Sequence, residues 1–168
     1  MRFLNRIACM LLFLTATTLD AQNVGQTKLY QRIKQELDTV RAIDTHDHLR
    51  AFGKMPDRVA TPDGRGMNLY SIWAHSYLTR TTKITPWPAD RLFDTWWKQA
   101  RDDFDDARAT SFYRYLLPAF HDLYGVDFET ITDAEAAELN QKIFQNYQND
   151  KWLLNVITKR ANIELMFI

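Results

Sequence analysis

Two histidines and an aspartate alternate in the segment Ile43-Asp44-Thr45-His46-Asp47-His48-Leu49. Thr39, Val40 and Ile43 lead into them and are apolar or β-branched, which favours a β-strand. Successive side chains of a strand point to opposite faces, so Asp44, His46 and His48 would share one face. Two imidazoles about 7 Å apart along a strand can hold one divalent cation, and imidazole is a common zinc ligand. The spacing therefore predicts a metal site where this strand ends.

The residues beside the two histidines have more than one interpretation. Asp44 is in phase with them and could orient a ring N–H of a ligating histidine. A turn or cap contact at the strand end is the alternative for Asp44. Arg50 follows His48 by two positions and could bind an acidic substrate, or it could be a solvated loop residue. A run of surface polar residues leaving a strand would explain the whole segment without a metal.

The composition predicts a folded protein with an aromatic core. The chain has 168 residues, of which 46% are hydrophobic, including ten Phe, seven Tyr and five Trp. Its 21 basic and 21 acidic residues give a formal net charge of zero. This balance provides neither the basic surface typical of nucleic-acid binding nor a polybasic membrane patch. We therefore expect no nucleic-acid partner, and the oligomeric state stays open.

The first 21 residues have the pattern of a secretory signal peptide. A basic start precedes an apolar segment over residues 7–14, and small polar residues lead to Ala21. Cleavage after Ala21 predicts an exported mature chain, 22–168, located in a periplasm and without stable membrane insertion. An N-terminal anchor or a buried helix is the alternative. Cys9 is the only cysteine, so the mature chain would bind metal through His or carboxylate groups alone.

Most of the remaining chain has helical periodicity. Apolar residues recur every three or four positions in several stretches separated by Pro or Gly, which predicts a series of amphipathic helices. Asn68 is a candidate N-cap, Thr132 with Glu135 forms a capping-box pattern, and Gly125 can end the helix before it. The predicted helices are 27–38, 69–78, a helix with Pro88 in its first turn that runs past Phe104, 111–124 restarting at Pro118, 132–147, and one capped by Asp150.

Several conspicuous residue groups of the helical region have ordinary structural explanations. The segment 50–66 is rich in Gly and Pro, which predicts a loop. Four aspartates between Arg101 and Asp106 lack the glycine and terminal glutamate of a calcium loop, so a solvated helix face is expected. The tryptophans on helices are expected in the core. His75 and His121 are expected as packed or surface residues rather than metal ligands.

The last residues, 163–168, predict a second, buried strand. Two strands that bracket helices form an α/β unit, which favours parallel pairing of the strands. Two strands cannot close a sheet, and an eight-stranded α/β barrel takes about 250 residues. We therefore expect the sequence to be an N-terminal fragment or a truncated gene product. A small complete α-rich domain with a two-stranded ribbon is the alternative.

Three segments carry a resemblance to a known family. Asp44-Thr45-His46-Asp47-His48 is similar to the first-strand His-x-His signature of the amidohydrolase superfamily, and 104–114 and 160–167 resemble segments of exported amidohydrolase-related proteins. The resemblance implies an α/β fold: the N-terminal part of a (β/α)8 TIM-type barrel, predominantly α-helical here because of a large insertion over 50–160 after strand 1. It also implies that His46 and His48 bind a divalent metal, most simply zinc.

The activity implied by the resemblance is metal-dependent hydrolysis. A bound metal lowers the pKa of water towards 7, and the resulting hydroxide attacks a small-molecule substrate of carbonyl type. The other ligands of the family come from later strands that this sequence does not contain, so the isolated chain is expected to be inactive. A long insertion after strand 1 also resembles uronate isomerase, which makes a sugar-acid isomerase the second hypothesis. A non-catalytic exported helical module is the third.

Overall fold

A computed structural model describes residues 24–47 and 58–167. The chain is mixed α/β and mostly helical. The strands are β1 (Ala42–Asp44), β2 (Val59–Thr61), β3 (Gly64–Gly66) and β4 (Ile163–Met166). The α-helices are α1 (Lys28–Thr39), α2 (Leu69–His75), α3 (Phe93–Ala107), α4 (Ser111–Arg114), α5 (Leu117–Tyr124), α6 (Asp133–Asn146) and α7 (Asp150–Asn155). Across the described ranges, no helix is long and apolar enough to cross a membrane.

The chain divides into two compact units, and the first ends at Ala42. Its helix α1 begins after Thr27, whose hydroxyl accepts a hydrogen bond from the Tyr30 N–H at 3.2 Å. The predicted helix is therefore confirmed. Its apolar residues Leu29, Ile33 and Leu37 are nevertheless 58%, 49% and 64% exposed.

The described residues form two small sheets. Strands β1 and β4 pair with each other, as expected for the two strands that bracket the helices. Strands β2 and β3 form an antiparallel hairpin in which Ala60 faces Arg65. The prediction of a loop over 50–66 was wrong from Val59 onward, because the Pro62-Asp63 turn allows the flanking residues to pair.

Burial of the last strand was also predicted wrongly. No residue of β4 is buried: Ile163 and Met166 are of intermediate exposure, Glu164 and Leu165 are exposed, and Leu165 and the following Phe167 are about half exposed. A sheet of two strands leaves much of each strand open to solvent, so an apolar sequence is not sufficient to bury it.

The core of the second unit is built from helices and is dominated by aromatic rings. Trp73 of α2 is fully buried and stacks on Tyr113 with centroids 5.4 Å apart. Trp96 and Trp97 of α3 are also buried. Phe104, Phe120 and Phe128 pack around Trp73 with centroid distances of 5.0 to 5.5 Å. The expectation that the helical tryptophans form core is thus confirmed for these three.

Helix ends follow the predicted caps in three places. Asn68 accepts from the Ser71 N–H at 3.0 Å and begins α2. The capping box of Thr132 and Glu135 begins α6. Gly125 ends α5 in the left-handed conformation, with φ of 69°, which a residue without Cβ adopts at little cost. Local side-chain chemistry was therefore a reliable guide at these ends.

Other helix ends differ from the prediction. Helix α2 stops at His75 and continues as a 3₁₀ turn, Tyr77–Arg80, because Ser76 caps that turn through its hydroxyl. Helix α3 begins at Phe93, well after Pro88. Helix α7 is capped by Asn149 rather than Asp150, because the Asn149 side chain accepts from two amides of the first turn.

Candidate functional site

The predicted metal segment lies where β1 ends. The strand stops at Asp44, whose carbonyl oxygen accepts a hydrogen bond from the Phe167 N–H at 2.9 Å. The Asp44 carboxylate accepts from the main-chain N–H of His46 at 3.1 Å. This contact of an Asp side chain with the amide two residues on forms a tight turn. The Asp44 carboxylate therefore makes the strand-end turn contact that was the alternative to orienting a ring.

Because the chain turns after Asp44, His46 does not continue the alternation of side chains along β1. His46 lies in a bend beyond β1 and is exposed. His48 and Arg50, the other predicted site residues, lie outside the described residues. The structure therefore places Asp44 next to His46 and gives no geometry for the pair of histidines.

The donor set can be compared with what zinc requires. Structural zinc sites have four protein ligands, and catalytic sites have three plus water. In residues 24–47 and 58–167, no group of three or more His, Cys, Asp or Glu side chains is arranged to hold a metal ion. His46 alone of the two predicted ligands is described, so a complete site would need His48 and further donors.

The remaining histidines lie elsewhere and have structural surroundings. His75 is the last residue of α2, and partial burial lowers the pKa of its imidazole. His121 of α5 is exposed, and its Nδ1 lies 3.0 Å from the carboxylate of Asp122. Both fit the expectation of packed or surface histidines.

The acidic residues of α3 are mostly a solvated face, as expected, with one exception. Asp102, Asp105 and Asp106 are exposed. Asp103 is partly buried, and its carboxylate accepts a hydrogen bond from the Thr85 main-chain N–H. Asp103 thus ties the segment before α3 to that helix.

A carboxylate that the sequence did not mark joins α3 to α6. Asp133 accepts hydrogen bonds from the Trp97 indole N–H at 2.9 Å and from Arg101 at 2.8 Å, both to Oδ1. The Arg101 hydrogen bond, followed by that of Trp97, lowers the pKa of Asp133. A carboxylate that is both exposed and doubly bonded in its charged form is poorly suited to accept a proton near neutral pH. We therefore regard it as structural.

A cavity of about 250 Å³ lies between the β2–β3 hairpin, the start of α3 and the middle of α6. Sequence reasoning missed this cavity because its walls come from four separate stretches of chain. Arg91 could have been noticed only through its position between a proline-rich segment and a helix start. Neither Asp44 nor His46 lines the cavity.

No protein-family model, curated protein or solved structure matches the chain. The amidohydrolase resemblance therefore remains a prediction that depends on the residues quoted for it.

Proposed function

We propose that this chain supplies His46 and His48 as ligands of a divalent metal, most simply zinc, in an exported metal-dependent hydrolase of the amidohydrolase type. The observation that carries the proposal is the position of His46 directly beyond the end of β1. Strand ends are where α/β proteins place catalytic and binding groups, because the strands hold loop residues on a rigid support. The pairing of β1 with β4 provides that support here.

The residues present fit a zinc site in chemical type. Imidazole nitrogen and carboxylate oxygen are both zinc ligands, and no cysteine is needed. When bound, zinc would lower the pKa of a coordinated water and supply hydroxide for attack on a carbonyl-type small-molecule substrate. The chain's own contribution is positional. The Phe167 N–H holds the main chain at Asp44, and the Asp44 carboxylate holds the main chain at His46.

The proposal extends to the fold of the protein and to its cellular compartment. We place β1 as the first strand of a TIM-type barrel, with the helical region within 50–160 as the insertion after it. The mature chain, 22–168, is then exported to the periplasm after loss of a signal peptide. The resemblance assigns the other metal ligands and the catalytic acid to further strands of such a barrel, so we expect the isolated chain to lack hydrolase activity.

One observation favours a second candidate, a non-catalytic exported helical module. The buried core runs from Leu69 to Ile143 and contains no residue of β1 or β4. A helical body that packs without the strands does not need a metal site for its stability.

Zinc binding separates these two candidates. The purified chain would be titrated with zinc against a chromophoric chelator, alongside His46→Ala, His48→Ala and the matched control His121→Ala. We expect both ligand substitutions to weaken zinc binding more than about tenfold, since even a group that only orients a ligand is worth about 10–100-fold. His121→Ala should bind like the unaltered chain. Unchanged affinity in both ligand variants would leave the non-catalytic module as the function.

A further inference from the structure

The cavity between the hairpin and helices α3 and α6 has the lining of a ligand site. Its walls are the hairpin turn, the segment that leads into α3, the start of α3 and one face of α6. Its lining includes Asp63, Trp87, Arg91, Asp94, Asn140 and Gln141. Apolar surface with a few polar groups is the usual composition of a small-molecule site.

Arg91 is held on the cavity wall in an uncommon backbone conformation. Its φ is 65°, in the left-handed region that costs a residue with a Cβ about 1 kcal/mol or more. Hydrogen bonds on both sides maintain it. The Arg91 N–H donates to the Pro88 carbonyl at 3.1 Å, and the Asp90 carboxylate accepts from Leu92 N–H at 3.0 Å and Thr95 hydroxyl at 2.8 Å. The local bonds therefore fix the main chain at Arg91, and its side chain borders the cavity from there.

Two more sources of hydrogen-bond donors border the cavity, the Asn140 side chain and the start of α3. The Asn140 side-chain oxygen accepts from the Leu69 N–H at 3.2 Å, which leaves the NH₂ group of that amide as its donor towards a ligand. Helix α3 begins at Phe93 without a side-chain cap, so main-chain N–H groups of its first turn can also donate. Together with Arg91, these groups place hydrogen-bond donors on more than one wall of the cavity.

Acceptors and flat apolar surfaces complete the lining. The carboxylates of Asp63 and Asp94 outnumber the single guanidinium, so a simple anion is disfavoured, and Arg91 disfavours a simple cation. The Trp87 indole N–H donates to the Ala60 carbonyl at 2.9 Å, which fixes that ring in place. Phe93 and Phe144 add aromatic surface. The lining thus combines donors, acceptors and fixed aromatic rings.

We propose that this cavity binds a neutral polyhydroxylated ring, such as one saccharide unit. Hydroxyl groups both donate and accept, which matches the mixture of Arg91, Asn140 and the two aspartates. The C–H faces of such a ring pack on aromatic side chains. The cavity shares no residue with the proposed metal segment, so either proposal can fail while the other stands.

Direct binding to the intact chain tests this proposal. The probes are methyl glucoside, methyl galactoside and methyl mannoside, with acetate and tetramethylammonium as the anionic and cationic alternatives. Saturation-transfer NMR detects contact, and a titration followed by tryptophan fluorescence gives the affinity. We expect at least one methyl glycoside to bind at millimolar concentration, and acetate and tetramethylammonium not to bind.

Three variants relate binding to the cavity. Gln141→Ala should weaken glycoside binding about fivefold, the value of one neutral hydrogen bond. Gln145→Ala, exposed one turn further along α6 and absent from the lining, is the matched control and should bind normally. Arg91→Gly should weaken binding more than about tenfold, since bonds to a charged group are stronger. Its urea midpoint should stay the same or rise, because glycine adopts positive φ without strain.

Each contrary outcome overturns the proposal. Binding of acetate that depends on Arg91 would make the cavity an anion site, and binding of tetramethylammonium would make it a cation site. The absence of glycoside binding, or glycoside binding that Gln141→Ala and Arg91→Gly leave unchanged, would show that the cavity does not recognise saccharides.

Discussion

The carboxylate of Asp44 accepts a hydrogen bond from the main-chain N–H of His46 at 3.1 Å. The bond closes a turn at the end of β1, so the backbone of the first candidate metal ligand is positioned by the residue two places before it. A contact of this kind acts through the side-chain oxygen, and it does not require the negative charge. That distinction can be measured.

Substitution of Asp44 distinguishes its two possible roles, which are the turn contact with the His46 N–H and the orientation of a histidine ring. Asparagine keeps an oxygen that can accept from the His46 N–H, whereas alanine does not. If the turn contact is the role, Asp44→Asn should bind zinc like the unaltered chain, and Asp44→Ala should lose about fivefold in affinity, the value of one hydrogen bond. A chelator-competition titration gives both affinities. Equal losses in the two variants would instead assign Asp44 to orienting an imidazole through its charge.

Two buried tryptophans form a matched pair for testing the core. Trp73 and Trp96 are both fully buried. The Trp96 indole N–H donates to the Thr85 carbonyl at 2.9 Å, whereas that of Trp73 has no acceptor among the described residues. Replacement of Trp96 by Phe removes a hydrogen bond, but the same change at Trp73 removes a buried, unbonded N–H group. We expect Trp96→Phe to destabilise the fold by about 1–3 kcal/mol more than Trp73→Phe.

Urea unfolding measures this difference. The comparison is valid if the slope of free energy against urea is the same in both variants, because a changed slope indicates a changed denatured state. Equal destabilisation, or a larger loss at Trp73, would contradict the hydrogen-bond assignment.

The pairing of Asp133 with Arg101 and Trp97 predicts a pH dependence. The pKa of Asp133 is lowered below its ordinary value of 3.8 in the folded chain, mainly by the Arg101 hydrogen bond. A lowered pKa means that the carboxylate stabilises the fold at pH values above the ordinary one, and that this contribution disappears as the pH falls through the lowered value. Asp133→Asn should therefore lower the unfolding midpoint modestly near neutral pH, and the difference should vanish in acid.

Asp150 provides a control for the position of Asp133 at the start of a helix. Asp150 occupies the first position of α7, as Asp133 does in α6. Asp150→Asn should therefore report the effect of charge at a helix start without the Trp97 and Arg101 bonds. Because both aspartates are exposed, added salt should reduce the effects of both substitutions. A difference for Asp133→Asn that persists unchanged into acid would exclude the ionised carboxylate as its cause.

Local chemistry explains which elements were predictable. The caps at Asn68, Thr132 and Gly125 depend on residues within a few positions of one another, so the sequence contains all the information they need. The hairpin Val59–Gly66 was missed because each strand is only three residues long, the second is Gly-Arg-Gly, and Gly, Pro and Asp are typical of loops. The hairpin is positioned instead by distant groups, such as the Trp87 indole that donates to Ala60.

The sequence by itself determined the helical character of the chain, the positions of several caps, the aromatic core residues and the alternating Asp44, His46 and His48. The tertiary structure decided which of these groups meet. It ended β1 at Asp44 because a side-chain hydrogen bond turned the chain there. It also assembled the cavity that Arg91 lines, from segments of the chain that extend from Thr61 to Phe144 in the sequence. Those segments meet because helices pack against one another, and no local sequence pattern encodes such packing.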